Sequence, residues 1–393
     1  MHTFPVLGEQ QLKSLLLITS ISSRWRNIAI GTSKLWTWIV IAAYIVQRGA
    51  DVGRSIIEAF VERSAHRPIS IYLSPPPDTA PFHTEFMQVY ETVIPHLGRC
   101  SAFCCYQLGN ITVPLLFPLV GPMARLATFV LMGETTIFNS SPVVMFTEPA
   151  SLTALGNVTI IGIPTAPIPN NPIDQLNIAL NGTPSTWSMP LIASSANITS
   201  LRLMDGDMLP KSTTSPILLP HLKVLYHWYG TVAPYFDAPV LEEVHWSCSS
   251  LTDGDVYFPA VKRLRLSEPS PYHDGCPPRC KFRLPKLTEI VLDDAQEPST
   301  FLRALLLPHT LDAGTDLSEG AEPIKIPFPS LQSVVLEKTG EEDLDVLWGV
   351  LGTVLESYQN VRLGYDARET SPKGDENFWG QLREAFGERV FNT

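Results

Sequence analysis

An α/β solenoid is the fold class this sequence predicts, on three observations. A short proline-containing apolar phrase recurs along most of the chain, its best copies are 19 to 26 residues apart, and helix-period patterning marks the two ends. The expected architecture is a small helical segment at 1–66, an irregular array of short parallel strands at 67–370, and a capping helix at 371–393.

Composition sets the bounds. Of 393 residues, 45% are hydrophobic and 17% charged, which excludes a disordered chain. This length makes either two domains or one extended array. The 35 prolines are spread along the sequence, so they punctuate many short elements. A formal net charge of −11 argues against nucleic acid as the main partner, because phosphate neutralisation needs clustered basic residues.

Cysteines at 100, 104, 105, 248, 276 and 280 are too sparse for a disulfide framework, so a reducing compartment, cytoplasmic or nuclear, is expected. The apolar run Leu35 to Val46 is well short of the ~20 residues a membrane helix needs. Ser14 to Ile21 lacks the cleavage site of a signal peptide and reads as a soluble helix. Sequons at Asn110, Asn139, Asn157, Asn181 and Asn197 pull the other way, toward a secreted protein.

The first element is helical. Leu17, Ile21, Trp25 and Ile28 recur on one helix face, and Gly31 ends the helix. Thr32 or Ser33 caps a shorter element carrying Leu35, Trp36 and Ile39. A third helix is expected over Ser55 to Arg63, with Ile56, Ile57, Phe60 and Val61 inward. One reading makes Trp25 and Trp36 the core of a small orthogonal bundle.

The run Ser22-Ser23-Arg24-Trp25-Arg26-Asn27-Ile28-Ala29, continuing through Thr32 to Leu35-Trp36, places two tryptophans eleven residues apart. Glu62-Arg63-Ser64 and Pro68-Ile69-Ser70-Ile71 follow at a strand entry. This pattern resembles the second half of the F-box-like domain of mushroom-type fungal proteins. Ser22 and Ser33 stand where that family has Cys and Pro, and its opening segment, which forms part of the adaptor-docking surface, has no counterpart here. The resemblance implies a substrate-recognition subunit of an SCF-type (cullin–RING) ubiquitin ligase. Leu17, Ile21, Trp25, Leu35 and Trp36 would then dock the SCF adaptor protein, and the array would hold a target protein. The alternative is a solenoid interaction module, outside any ligase, that has lost adaptor docking.

Beyond residue 67 the chain repeats. The phrase is clearest at Leu219-Pro220-His221-Leu222-Lys223-Val224-Leu225 and at Ala238-Pro239-Val240-Leu241 to Trp246. It returns at Phe258-Pro259 to Leu266, Leu284-Pro285 to Leu292 and Phe328-Pro329 to Leu336, with weaker copies at Leu126 to Leu131, Leu152 to Ile160 and Ile198 to Leu203. From Ile198 the anchors step by 24, 19, 20, 26 and 44 residues, the last step spanning a helical stretch Thr300 to Leu307. Such steps fit irregular leucine-rich repeats, in which each unit stacks on its neighbours to bury one apolar strand face. The proline before each strand is expected at a strand start, where its missing N–H is tolerated.

Alternation then sorts the strand positions. Leu201/Leu203, Leu225, Val244/Trp246, Leu264/Leu266, Ile290/Leu292 and Val334/Leu336 face inward. Facing the other way are Arg202, Tyr226, His245, Arg265, Val291 and Val335, beside Ser200, Val224, Glu243, Arg263, Glu289 and Ser333. On an acidic protein, Arg202, Tyr226, His245, Arg263 and Arg265 are candidate target-binding residues, since guanidinium groups recognise carboxylate or phosphate. The competing reading is a solvated face whose arginines pair with neighbouring glutamates.

At the C-terminus, Thr339-Gly340-Glu341-Glu342 precedes a helix through Leu344, Leu347, Leu351 and Leu355. Asp375 caps a last helix with Phe378, Leu382 and Phe386.

Candidate chemistry is thin. His273, Cys276 and Cys280 give at most three metal ligands with no second pair in range, so no metal and no cofactor are expected. Cys100, Cys104 and Cys105 read as buried apolar side chains. Asp205/Asp207, Asp253/Asp255 and Asp293/Asp294 occupy turn-like contexts where Asp is favoured anyway. Neither a phosphate-cradling loop nor a nucleophile elbow is present. The expectation is a binding protein, not an enzyme, acting on neither nucleic acid nor membrane.

Overall fold

The computed structural model describes residues 10, 13–15, 17–77, 80–109, 112–133, 142–168, 172–179, 188–204, 216–228, 236–247, 255–267, 281–293, 302, 306, 328–337, 344–365 and 378–392. The chain divides into two compact units, Met1–Ile198 and Thr199–Thr393. Each is an α/β unit built on a parallel sheet whose main strands follow one another in sequence order.

In the first unit the strands are β1 (Trp38–Ala42), β2 (Ile69–Ser74), β3 (Cys100–Leu108), β4 (Thr128–Gly133), β5 (Asn157–Ile161) and β6 (Gln175–Ala179). Parallel neighbours need crossover connections. Helices Ala43–Val46 and Ala50–Arg63 join β1 to β2, and helix His83–Glu91 lies between β2 and β3. Their packing is close at Gly53, where an added Cβ would sit 2.7 Å from a Val89 methyl.

The first element differs from the expected continuous stripe. Residues 17–21 are helical, the chain breaks at Ser22, and a new helix Ser23–Gly31 starts there, with the Ser22 hydroxyl accepting from the Trp25 N–H at 3.3 Å. A serine side chain that caps a helix competes with helix continuation, which explains the break. Leu17, Ile21, Trp25 and Ile28 are exposed, so of the two tryptophans only Trp36 is core. Ser33–Trp36 forms a 3₁₀ turn, and Ile39, expected to be helical, is a fully buried residue of β1. The β-branched run Ile39-Val40-Ile41 favours strand. The third helix begins at Ala50 rather than Ser55 and buries Ile57, Phe60 and Val61 as expected, while Ile56, also expected inward, is only half-buried.

In the second unit the strands are β7 (Ser200–Met204), β8 (Ile217–Leu218), β9 (Val224–Trp228), β10 (Phe236–Asp237), β11 (Glu243–Ser247), β12 (Asp255–Tyr257), β13 (Arg263–Ser267), β14 (Lys281–Arg283), β15 (Glu289–Asp293), β16 (Ser333–Leu336), β17 (Arg362–Tyr365) and β18 (Val390–Asn392). The main sheet runs β7-β9-β11-β13-β15-β16-β17-β18, while β8 pairs with β10 and β12 with β14.

The recurrent phrase has one local structure. Leu222 N–H donates to Leu219 C=O, Leu241 to Ala238, Leu287 to Leu284 and Leu331 to Phe328, at 3.1–3.3 Å. Proline therefore occupies the second position of a tight turn, where its fixed φ is already correct, and not a strand start as expected. Both ends of each turn are buried. The next residue then opens the ladder: Lys223 N–H reaches Thr199 C=O, Glu242 reaches Lys223, Lys262 reaches Glu242, Thr288 reaches Lys262, and Gln332 reaches Thr288, at 2.8–2.9 Å. The same device operates in the first unit without proline, at Met123/Leu126 and Leu152/Leu155.

Every position expected to face inward on β7, β9, β11, β13, β15 and β16 is buried, none more than 7% exposed. Val291 and Val335 on the opposite face are buried as well. Leu302 and Leu306 are helical and buried. At the end of the chain, helix Leu344–Ser357 buries Leu347, Leu351 and Leu355, and helix Phe378–Phe386 stacks Trp379 on Tyr365 at 4.3 Å. The last helix does not finish the unit, because β18 follows it and pairs with β17. Arg389 fastens this edge by donating to Leu355, Tyr358 and Val361 carbonyls at 2.7–3.0 Å.

Candidate functional site

The register of the second unit assembles the two candidate rows. Arg202, Tyr226, His245, Arg265, Val291 and Val335 are consecutive partners across β7 to β16. Ser200, Val224, Glu243, Arg263, Glu289 and Ser333 form the neighbouring row. All five predicted target-binding residues therefore share one sheet face, with adjacent strands about 4.8 Å apart.

The charges on this face are mostly paired within the chain. Arg263 binds Glu289 and lies 3.9 Å from Glu243, and these carboxylates hold its pKa above the ordinary value, the Glu289 hydrogen bond foremost. Arg265 donates to Asp293 at 2.8 Å and to Glu337 on the far side of β15. Burial alone would lower the Arg265 pKa; the two carboxylates outweigh it and raise it. His245 Nε2 is 2.7 Å from Glu243 Oε1. Burial still lowers the His245 pKa, with Arg265 and Arg202 adding to the depression and Glu243 opposing it.

Arg202 differs. Its guanidinium carbon lies 4.8 Å from the centre of the Tyr226 ring, which itself lies 4.2 Å from the His245 ring at a tilt of 34°. The three side chains come from strands adjacent in the sheet. A cation over an aromatic face is attracted by the ring quadrupole and held in orientation.

The inward face carries one polar residue that sequence reasoning missed. His227 is 1% exposed, sits edge-on to Trp246 at 5.4 Å, and its Nδ1 has no hydrogen-bond partner. Burial lowers its pKa to about 3, so it is neutral at physiological pH. Its place in the inward alternation, two residues after Leu225, was the available signal. Asp293, expected in a turn after its strand, is instead the last residue of β15 and a partner of Arg265, as is Glu337 just past β16; only the register brings them together.

The five predicted adaptor-docking residues separate. Leu17, Ile21 and Trp25 are 64%, 60% and 51% exposed, and Ile28, on the same helix as Trp25, is 47% exposed. Leu35 is half-buried. Trp36 is in the core: its indole N–H donates to Ala29 C=O at 2.7 Å, Phe60 meets it edge-on at 5.0 Å, and the Arg63 guanidinium carbon lies 4.5 Å over the ring.

Cys100, Cys104 and Cys105 are free and buried, as expected. Among the described residues, no group of three or more His, Cys, Asp or Glu side chains is placed to hold a metal, and no helix is long and apolar enough to cross a membrane. His273, Cys276, Cys280, Asp205, Asp207, Asp253, Asp294, Asp375, the turn 339–342 and Asn110, Asn139 and Asn181 lie outside the described residues, and Asp255, expected in a turn, is the first residue of β12. Asn157 is on β5 with its amide donating to Gln175 at 3.4 Å, whereas Asn197 lies exposed in a turn. No protein-family model matches the chain, and no curated protein matches it.

Proposed function

We propose that this chain is a substrate-recognition subunit of an SCF-type ubiquitin ligase. In this reading the helical N-terminal part docks the SCF adaptor protein. The strand arrays form an irregular leucine-rich-repeat-like solenoid, and the strand face of the second unit binds a target protein. The chain performs no chemistry; it raises the effective concentration of target near the ubiquitin carrier.

The observation that carries the reading is the exposed apolar side chains at the N-terminal part, Leu17 and Ile21 on one helical segment and Trp25 and Ile28 on the next, each close to half exposed or more. Large apolar side chains gathered at the surface in one part of a folded protein are what an interaction site presents. The repeat reading draws support from the shared turn-and-ladder device and its 19–26-residue spacing.

The test is co-expression with a fungal SCF adaptor, followed by size-exclusion chromatography. A stable one-to-one complex, lost in Leu17→Asp and Trp25→Ala variants of unchanged melting temperature, is the expected result. Separate elution of the wild-type chain and the adaptor would replace the ligase reading with that of a solenoid interaction module.

A further inference from the structure

Arg202, Arg263 and Arg265 are not equivalent, and the register explains why; a fourth arginine of this face, Arg362 on β17, partners Ser333 and lies over the Phe391 ring. Arg263 has carboxylates on both neighbouring strands, Glu243 and Glu289. Arg265 has Asp293 and Glu337 within reach. The positions around Arg202 on β7 and β9 are Ser200, Met204, Val224, Tyr226 and Trp228, none of them acidic. The next carboxylate along the face, Glu243 on β11, is taken by His245 and Arg263. Among the described residues, Arg202 makes a ring contact and no ion pair.

The geometry points to Arg202, seated on Tyr226, as a carboxylate receptor on this face: the anchor for one Asp or Glu side chain of the bound protein. It rests on the reading that this face holds the target. A guanidinium carbon seated over a ring keeps N–H donors for a carboxylate, which a guanidinium can take in bidentate fashion. The Tyr226 ring, itself against His245, limits the rotamers open to Arg202, so less side-chain entropy is lost on binding. Ser200 lies on the same side of β7 two residues away. Charge complementarity selects the occupant: with Glu243 already on β11, a single guanidinium that makes no ion pair among the described residues matches a monoanion. A phosphomonoester, close to a dianion at pH 7, would face Glu243 with one counter-charge.

The experiment uses the full chain labelled with ¹⁵N-arginine, reading the Nε–Hε signals by nuclear magnetic resonance. Arg202→Lys, Arg263→Lys and Arg265→Lys assign three of them. Titration with N-acetylglutamate α-methylamide, whose single charge is its side-chain carboxylate, is expected to shift the Arg202 signal saturably and leave those of Arg263 and Arg265 in place. The uncharged N-acetylglutamine α-methylamide should have no effect, and inorganic phosphate should bind more weakly. Tyr226→Leu should weaken binding of the glutamate derivative at least tenfold, while Tyr226→Phe, which keeps the ring, should retain it. An unmoved Arg202 signal, or equal shifts at all three arginines, would overturn the proposal. Tighter binding of phosphate would overturn the choice of a carboxylate. The titration contains no adaptor, so failure of the ligase reading and failure of this site give different results.

Discussion

Arg265 and Glu337, 72 residues apart in sequence, join their side chains across the strand that separates β13 from β16. Asp293 on that intervening strand shares the same guanidinium. Arg265, midway along β13, thus ties itself to the C-terminal ends of β15 and β16. Without it, two partly buried carboxylates would face each other unneutralised. Arg265→Ala is expected to cost about 1–3 kcal/mol, between the exposed and buried ion-pair limits. In an Asp293→Asn/Glu337→Gln background the same change should cost much less. Urea unfolding of the four proteins measures this coupling, and equal costs in both backgrounds would contradict it.

Two tryptophans that look alike in sequence should behave in opposite ways. Trp36→Ala removes a buried ring, its hydrogen bond to Ala29 and the seat of Arg63, and should destabilise by about 3–5 kcal/mol. Trp25→Ala trims a half-exposed side chain and should change stability by no more than about 0.5 kcal/mol. Denaturant midpoints of the two variants decide it. A Trp25→Ala loss as large as that of Trp36→Ala would mean that Trp25 is core.

The contrast shows what was legible beforehand. The repeated phrase was readable because turn, anchor and alternation recur together, so the inward positions and even the cross-strand rows followed from counting. The periodicity of Leu17 to Ile28 was equally visible, but it neither registers the break that the capping Ser22 makes nor says what covers a face. Trp38 to Ala42 escaped because a short apolar run beside helices has no period of its own. The pairing of Arg265 depends on residues two strands away, which no local pattern encodes.

Gly53 is held by proximity rather than by an unusual backbone angle. A methyl group there would sit 2.7 Å from Val89 Cγ2 and 3.3 Å from Ile45 Cγ2, both fully buried neighbours with little room to move. Gly53→Ala should therefore destabilise by about 1–3 kcal/mol, even though alanine is the better helix former by about 1 kcal/mol. Thermal unfolding would show the sign, and a stabilised variant would mean that the helices separate at low cost.

Three thiols provide a probe of the first unit. Burial pushes Cys104 up to about 11 and Cys100 to about 12, and raises Cys105 well above its ordinary value. Since the thiolate is the reactive form, all three should resist alkylation by iodoacetamide at pH 8 in the native protein and react fully in urea. Peptide mass spectrometry resolves them from the other cysteines, and rapid native labelling at any of the three would show that β3 opens locally.

His227 makes the second unit acid-sensitive, with a sign fixed by its burial. Its folded pKa, about 3, lies below the ordinary value of 6.5, so the unfolded chain binds a proton that the folded one excludes. The stability this neutral imidazole permits is complete above the unfolded value and is lost as pH falls from there toward the folded one. The loss is about 1.4 kcal/mol per pH unit over that window. Leu203 and Trp246 are its register partners on either side, and neither supplies a charge that could hold the protonated form. His227→Phe should remove this component, flattening the decline in urea-unfolding free energy between pH 6.5 and 4.5. An unchanged slope in the variant would mean that His227 finds a proton acceptor in the folded protein.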